Sequence, residues 1–144
     1  MNLNYPESAK ELAQFNAKIA DDKLAKGILV LDMSAIEEAP CDYFVIASAE
    51  SEPQLKAIAY EINRRCREFD MKKPRIEGID GGEWALLDYF DVVVHLMMKQ
   101  ARSFYKLEKL WADAKFYEID DQGELKPYDI SDLKNLYSEQ SESE

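Results

Sequence analysis

The sequence predicts one α/β (α+β) domain, a mixed five-stranded sheet flanked by helices in the order α-β-β-α-β-β-β-α. Three observations carry this expectation. Residues 8–24 and 51–69 each place apolar side chains at helical spacing behind a helix-start signal. Short apolar runs rich in β-branched and aromatic residues lie between and after them. Residues Trp84–Ala114 (WALLDYFDVVVHLMMKQARSFYKLEKLWADA) join two strand-like segments, a short turn and an amphipathic helix in one block. A chain of 144 residues, 47% of them apolar, can bury a core as one domain.

The first helix is expected to start at Ser8. Ser8 and Glu11 have the S-x-x-E spacing of a capping box, in which side chains satisfy amides that the helix start leaves unpaired. Leu12, Phe15 and Ile19 follow on one face, Ala20 and Leu24 widen the stripe, and Gly27 can take a left-handed stop. Ile28–Met33 reads as a buried strand, Ser34–Asp42 as a polar connection and Tyr43–Ser48 as a second strand. Ser51 and Gln54 form another box. Pro53 lies in the first turn, where its missing amide costs nothing. Leu55, Ile58, Ile62, Cys66 and Phe69 give this helix its apolar stripe, and Arg64, Arg65 and Arg67 fall mostly on solvated faces.

Met71–Pro74 is a break, Arg75–Ile79 a candidate short strand and Gly81-Gly82 a flexible junction. Glu83–Asp88 and Val92–Met98 read as strands of an antiparallel hairpin. The last firm helix is expected over Lys99–Ala114. Phe104, Leu107, Trp111 and Ala114 would share its apolar face, and Lys99, Arg102, Lys106 and Lys109 another. Beyond Phe116 the pattern weakens. Asp120–Gly123 looks like a turn, Ile130–Tyr137 like a short helix capped by Asp129 or Ser131, and Ser138–Glu144 like a disordered end. Residues 1–116 are therefore expected to form the domain and 117–144 an acidic, partly disordered extension.

The formal charge is −11, of which −7 lies in residues 117–144, with nine acidic and two basic side chains. An acidic chain gains little from counterion release, which disfavours strong direct binding to nucleic acid. Its acidity either steers it toward a basic protein partner or simply keeps the protein soluble. Two cysteines without a C-x-x-C pair and a single histidine do not make a zinc site. Met1–Asn16 lacks the basic start and apolar run of a signal peptide, and no apolar segment approaches a membrane span. The expectation is a soluble cytoplasmic protein.

Catalytic signals are weak. Gly81-Gly82 is not followed by Lys-Ser/Thr, so there is no phosphate loop. The Gly-Ser step that would introduce the carboxylates of two-metal nucleotidyl transfer is also missing. Asp88 and Asp91 flank the hairpin turn, where turn formation or charge pairing explains them better than a cation site. His95, inside VVVHLM, has no nucleophile or acid spaced to complete a catalytic unit and reads as a hydrogen-bonded core or interface residue. The basic row Lys99, Arg102, Lys106 and Lys109 is the best candidate for RNA contact, against a solvated face paired with acidic neighbours.

Trp84-Ala-Leu-Leu-Asp88, Asp91-Val-Val-Val-His95 and Arg102-Ser-Phe-Tyr-Lys-Leu-Glu108-Lys-Leu-Trp111 together resemble the Iojap family, the ribosomal silencing factors. That family carries W-x-x-x-D, D-V-V-V-H and R-x-F/Y-Y-x-L-E-x-L-W at this spacing. Asp42-Tyr-Phe-Val-Ile46 and the helix from Ser51 through Ile58-Ala59 resemble it too, so the likeness spans roughly Leu12 to Ala114. The chain departs from the pattern at Phe90, where many relatives have Gly, and at Ala49-Glu50, where Thr-Gly is usual.

The resemblance implies a nucleotidyltransferase-like fold without catalytic residues and without a cofactor or metal. It implies binding to the large ribosomal subunit through ribosomal protein L-fourteen, a steric block to small-subunit joining, and a homodimer when free. Carried onto this chain, it assigns partner binding to Trp84, Asp88, Asp91, His95, Arg102, Tyr105, Glu108 and Trp111, and the hairpin position adds Tyr89. Trp84, Tyr89 and Tyr105 are expected to supply apolar contact, Asp88, Asp91 and Glu108 to face basic groups, and Arg102 to order the local network. A divergent nucleotidyltransferase-like enzyme using Asp88 and Asp91, or an RNA-binding module using the basic row, are the alternatives.

Overall fold

The structure, a computed structural model, describes residues 3–141. Both capping boxes form. Ser8 Oγ accepts from the Glu11 amide at 3.1 Å, and Glu11 in turn accepts from the Glu7 amide, which starts α1 (Ala9–Asp22). Ser51 Oγ and Gln54 do the same at the head of α2 (Glu52–Glu68), with Pro53 in its first turn. Helix α1 ends earlier than the sequence suggests, because Leu24 takes the left-handed turn at φ +65°. Gly27 is freed for another task inside the next strand.

The strands are β1 (Lys26–Asp32), β2 (Tyr43–Ala49), β3 (Arg75–Glu77), β4 (Trp84–Asp88), β5 (Val92–Met98), β6 (Lys115–Ile119) and β7 (Leu125–Pro127). They form one seven-stranded sheet in the order β3-β4-β5-β2-β1-β6-β7. Only the central β2–β5 pair is parallel, so the sheet is mixed. The count of five strands is corrected by β6 and β7. These lie at and beyond the boundary expected at residue 116, and β6 pairs Phe116 with Leu31 and Tyr117 with Val30. The partner of β6 is far away in sequence, and β7 is only three residues long, which is why periodicity did not mark them.

Strand alternation sends side chains to two cores. Val92, Val94 and Leu96 of β5, with Ala85 and Leu87 of β4, pack under α1 and α2. Phe44 and Ile46 of β2 and Met97 of β5 lie on the opposite face. That face is covered by α3 (Lys99–Tyr105), α4 (Leu107–Leu110) and α5 (Leu133–Ser141). A 3-10 turn capped by Asp129 leads into α5, whose Leu133, Leu136 and Tyr137 are buried. Of the end expected to be disordered, Ser138–Ser141 continues α5, and residues 142–144 lie outside the described residues.

The single helix expected over Lys99–Ala114 is two. Lys106 adopts φ +48° and separates α3 from α4. Phe104, expected on the apolar face, consequently points outward and is 78% exposed.

Gly27 lies in β1 at φ +56°, where a Cβ would sit 2.7 Å from Leu136 Cδ1 of α5 and 2.9 Å from Arg102 Nη1 of α3. Gly27→Ala should therefore lower stability by about 1–3 kcal/mol, from backbone strain plus overpacking. Urea unfolding should show a lower midpoint at an unchanged slope. An unchanged midpoint would mean that this close approach is not a real constraint.

Candidate functional site

The β4–β5 register places Leu86 opposite His95 and Trp84 opposite Met97. Trp84 and His95 thus share the face that α3 and α4 cover. Trp84 Nε1 donates to His95 Nδ1 at 3.1 Å. An indole N–H can only donate, so the proton of neutral His95 sits on Nε2. That nitrogen is buried and has no partner among the described residues. Burial pushes the imidazole down to about 3, so it is uncharged near neutral pH.

Aromatic contacts run outward from this pair. Phe44 meets His95 edge-on at 4.4 Å and Trp111 at 6.2 Å. Tyr105 leans on Trp84 at 4.9 Å, and Phe104 packs edge-on against Tyr105 at 4.9 Å. The series begins in the core at Phe44 and His95 and ends in solvent. Tyr105 is 53% exposed, and Leu110 on α4 is 73% exposed. Phe104, Tyr105 and Leu110 thus form an exposed apolar patch resting on a buried aromatic base.

An ion pair fixes the helices that carry the patch. Arg102 and Glu108 are both fully buried, with Nε 2.8 Å from Oε2. Arg102 Nη1 also donates to Ser48 Oγ on β2 at 2.9 Å, and Tyr137 Oη on α5 donates to Glu108 Oε1 at 2.6 Å. Six residues apart on one continuous helix, the two side chains would diverge by about 120° and could not meet so closely. The left-handed residue Lys106 allows both to turn inward.

The nine sequence-nominated residues separate into three groups. Trp84, His95, Tyr105 and Trp111 come together on one sheet face. Arg102 and Glu108 lie beneath it, and Glu108 faces Arg102 where a basic group on a partner was expected. The remaining three serve the hairpin. Tyr89 turns to the other core, where its hydroxyl donates to Asn16 at 3.0 Å and lies 3.2 Å from Cys66 Sγ. Burial raises that hydroxyl well above the usual phenol range. Asp88 accepts from the Phe90 amide at 2.7 Å and stands 3.7 Å from Arg75. The Asp91 carbonyl accepts from the amides of Asp42 and Tyr43.

The basic row does not survive as a face. Arg102 is interior, Lys99 pairs with Glu50 at 3.2 Å, and Lys106 and Lys109 lie over the Tyr137 ring. Among the described residues no three His, Cys, Asp or Glu side chains are grouped to hold a metal. The Cys41 thiol is pushed up to about 11 by burial, which leaves it protonated. Sequence reasoning missed Phe104 and Leu110 as exposed residues, and Ser48 and Tyr137 as partners of the ion pair. Only a residue prone to left-handed backbone at 106 would have signalled the break, and lysine gives no such sign.

A family model described as "Ribosomal silencing factor during starvation" matches residues 6–143. The chain belongs to the ribosomal silencing factor family. Ribosomal silencing factor RsfS of Bacillus subtilis (strain 168) is 42% identical over 111 residues, covering 77% of this chain and 93% of that protein. The same-named protein of Halalkalibacterium halodurans is 39% identical over 113 residues, 78% of this chain and 96% of its own length. A crystal structure of a Chromobacterium violaceum protein superimposes with a TM-score of 0.68 at 30% identity, covering 74% of this chain and 88% of that one. The family match runs through β6, β7 and α5, so the silencing-factor match includes the segment that carries Tyr137.

The buried histidine gives this family member a testable acid response. His95 is held near 3 in the fold against an ordinary 6.5, so between those values the unfolded chain binds a proton that the folded chain does not. Its contribution is full above about pH 6.5 and falls by ~1.4 kcal/mol per pH unit as the solution is acidified toward 3. His95→Gln should have a shallower loss of stability between pH 6 and pH 4 in denaturant titrations. Parallel slopes for the two chains would show that His95 is not held neutral.

Proposed function

We propose that this protein docks on the large ribosomal subunit through ribosomal protein L-fourteen, sterically blocks joining of the small subunit and so represses translation. The observation that carries the reading is the patch of Phe104, Tyr105 and Leu110, left exposed on a base of Trp84, His95 and Phe44. Pre-positioned aromatics lose little side-chain entropy on binding and are the residue types that dominate interface energetics. Family membership gives the partner class, because the relatives are named as ribosomal silencing factors. The net charge of −11 suits a basic ribosomal protein. On this reading the protein works in the cytoplasm and pairs as a homodimer when free. Its sheet is a nucleotidyltransferase-like scaffold used without catalysis.

The mechanism is occupancy. A bound factor withdraws large subunits from the joining equilibrium by mass action, and no bond is made or broken. No helix among the described residues is long and apolar enough to cross a membrane.

Sedimentation of mixed subunits tests this directly. Saturating protein should deplete joined ribosomes, and Tyr105→Ala should weaken binding to the large subunit by about 2 kcal/mol, roughly thirtyfold. Joining that proceeds unchanged at saturation would refute the inhibitory role. Undiminished affinity in the folded variant would remove Tyr105 from the contact.

A further inference from the structure

One residue of α5, Tyr137, touches both α3 and α4. Its hydroxyl donates to Glu108 Oε1 at 2.6 Å, and its carbonyl accepts from Ser103 Oγ at 3.3 Å. Lys106 and Lys109 place their ammonium groups 5.0 and 5.7 Å from the centre of its ring. These four partners bracket Phe104 and Tyr105 in sequence and straddle the left-handed residue. Leu133 and Leu136 supply the apolar cover that a helix on this face needs. The Tyr137 hydroxyl is a separate matter, because it satisfies a carboxylate already withdrawn from water.

We infer that Tyr137 is a positioning residue for the docking face: it locks the break at Lys106 and thereby sets where Phe104 and Tyr105 stand. The inference rests on the docking reading above. The chain of cause is short. Without the hydroxyl, Glu108 Oε1 loses its partner in the interior, and a buried carboxylate oxygen left unpaired is costly. Moving Glu108 toward water would relieve that cost. It would also pull α4 from Arg102, and the left-handed turn that presents Tyr105 would lose its anchor. The last helix of the chain thus acts on recognition without itself belonging to the patch.

Tyr137→Phe tests this in the full chain, because it keeps the ring and the lysine contacts and removes only the hydroxyl. Amide exchange in the free protein should quicken about tenfold over residues 104–110, with β2 and β5 unchanged. Affinity for large ribosomal subunits should fall about tenfold. In a background carrying both Phe104→Ala and Tyr105→Ala the same substitution should cost no further affinity, since the residues it positions are gone. Unchanged exchange over 104–110, exchange raised uniformly through the sheet, or fully additive losses would each overturn the inference. Should Tyr105→Ala alone leave affinity intact, Tyr105 lies outside the contact and the binding half of the inference falls with it. The exchange result then decides the positioning half by itself.

Discussion

The architecture of the exposed face depends on one constraint, the fully buried pair of Arg102 and Glu108. Neither charge is near water, and neither could remain inside without the other. Removing one partner of such a pair typically costs about 3–5 kcal/mol, because the survivor stays desolvated and unpaired. That penalty favours the break at Lys106, since on one continuous helix the two side chains would diverge by about 120°. Lys106 bears backbone strain of roughly 1 kcal/mol in the left-handed region, small beside the cost of separating the buried pair. Its own ammonium contributes by donating to the Ser103 carbonyl.

What this constraint produces is an unusual distribution of apolar surface. A straight amphipathic helix would bury Phe104 with Leu107 and Trp111. The broken one buries Leu107, half-buries Trp111 and turns Phe104 and Tyr105 outward. The exposed rings are nevertheless held, through Trp84 and the Trp84–His95 hydrogen bond, to the middle of the sheet. The hydrogen bond fixes the ring that supports Tyr105, and burial keeps the imidazole neutral so that it can go on accepting. Exposed aromatics held from beneath lose little side-chain entropy on binding, which suits the proposed recognition role.

Much of this was legible in the sequence, for identifiable reasons. Local signals held: Ser8 and Ser51 cap their helices, Val92–Met98 alternates between two cores, and Asp120–Gly123 turns the chain. The W-x-x-x-D, D-V-V-V-H and R…E…W pieces pointed to the family and to Trp84, His95, Tyr105 and Trp111, which the fold gathers together. Non-local effects were not legible. Strand β6 forms on the edge that β1 offers, and β7 pairs with β6 in turn. Helical spacing assigned Arg102 to a basic face and Phe104 to the core, and both were reversed by a break that no glycine announces. Tyr89 looked like a surface aromatic of the hairpin, yet Asn16 and Cys66 on α1 and α2 draw it to the far side of the sheet.

On the proposed function, the face built on the buried pair, and not the α1–α2 face, meets the ribosome. Electron cryo-microscopy of the chain bound to large ribosomal subunits tests it most directly. Phe104, Tyr105 and Leu110 should be buried against a ribosomal protein, with α1 and α2 facing solvent. A complex in which α1 and α2 make the contact, and the three apolar side chains remain in water, would contradict it.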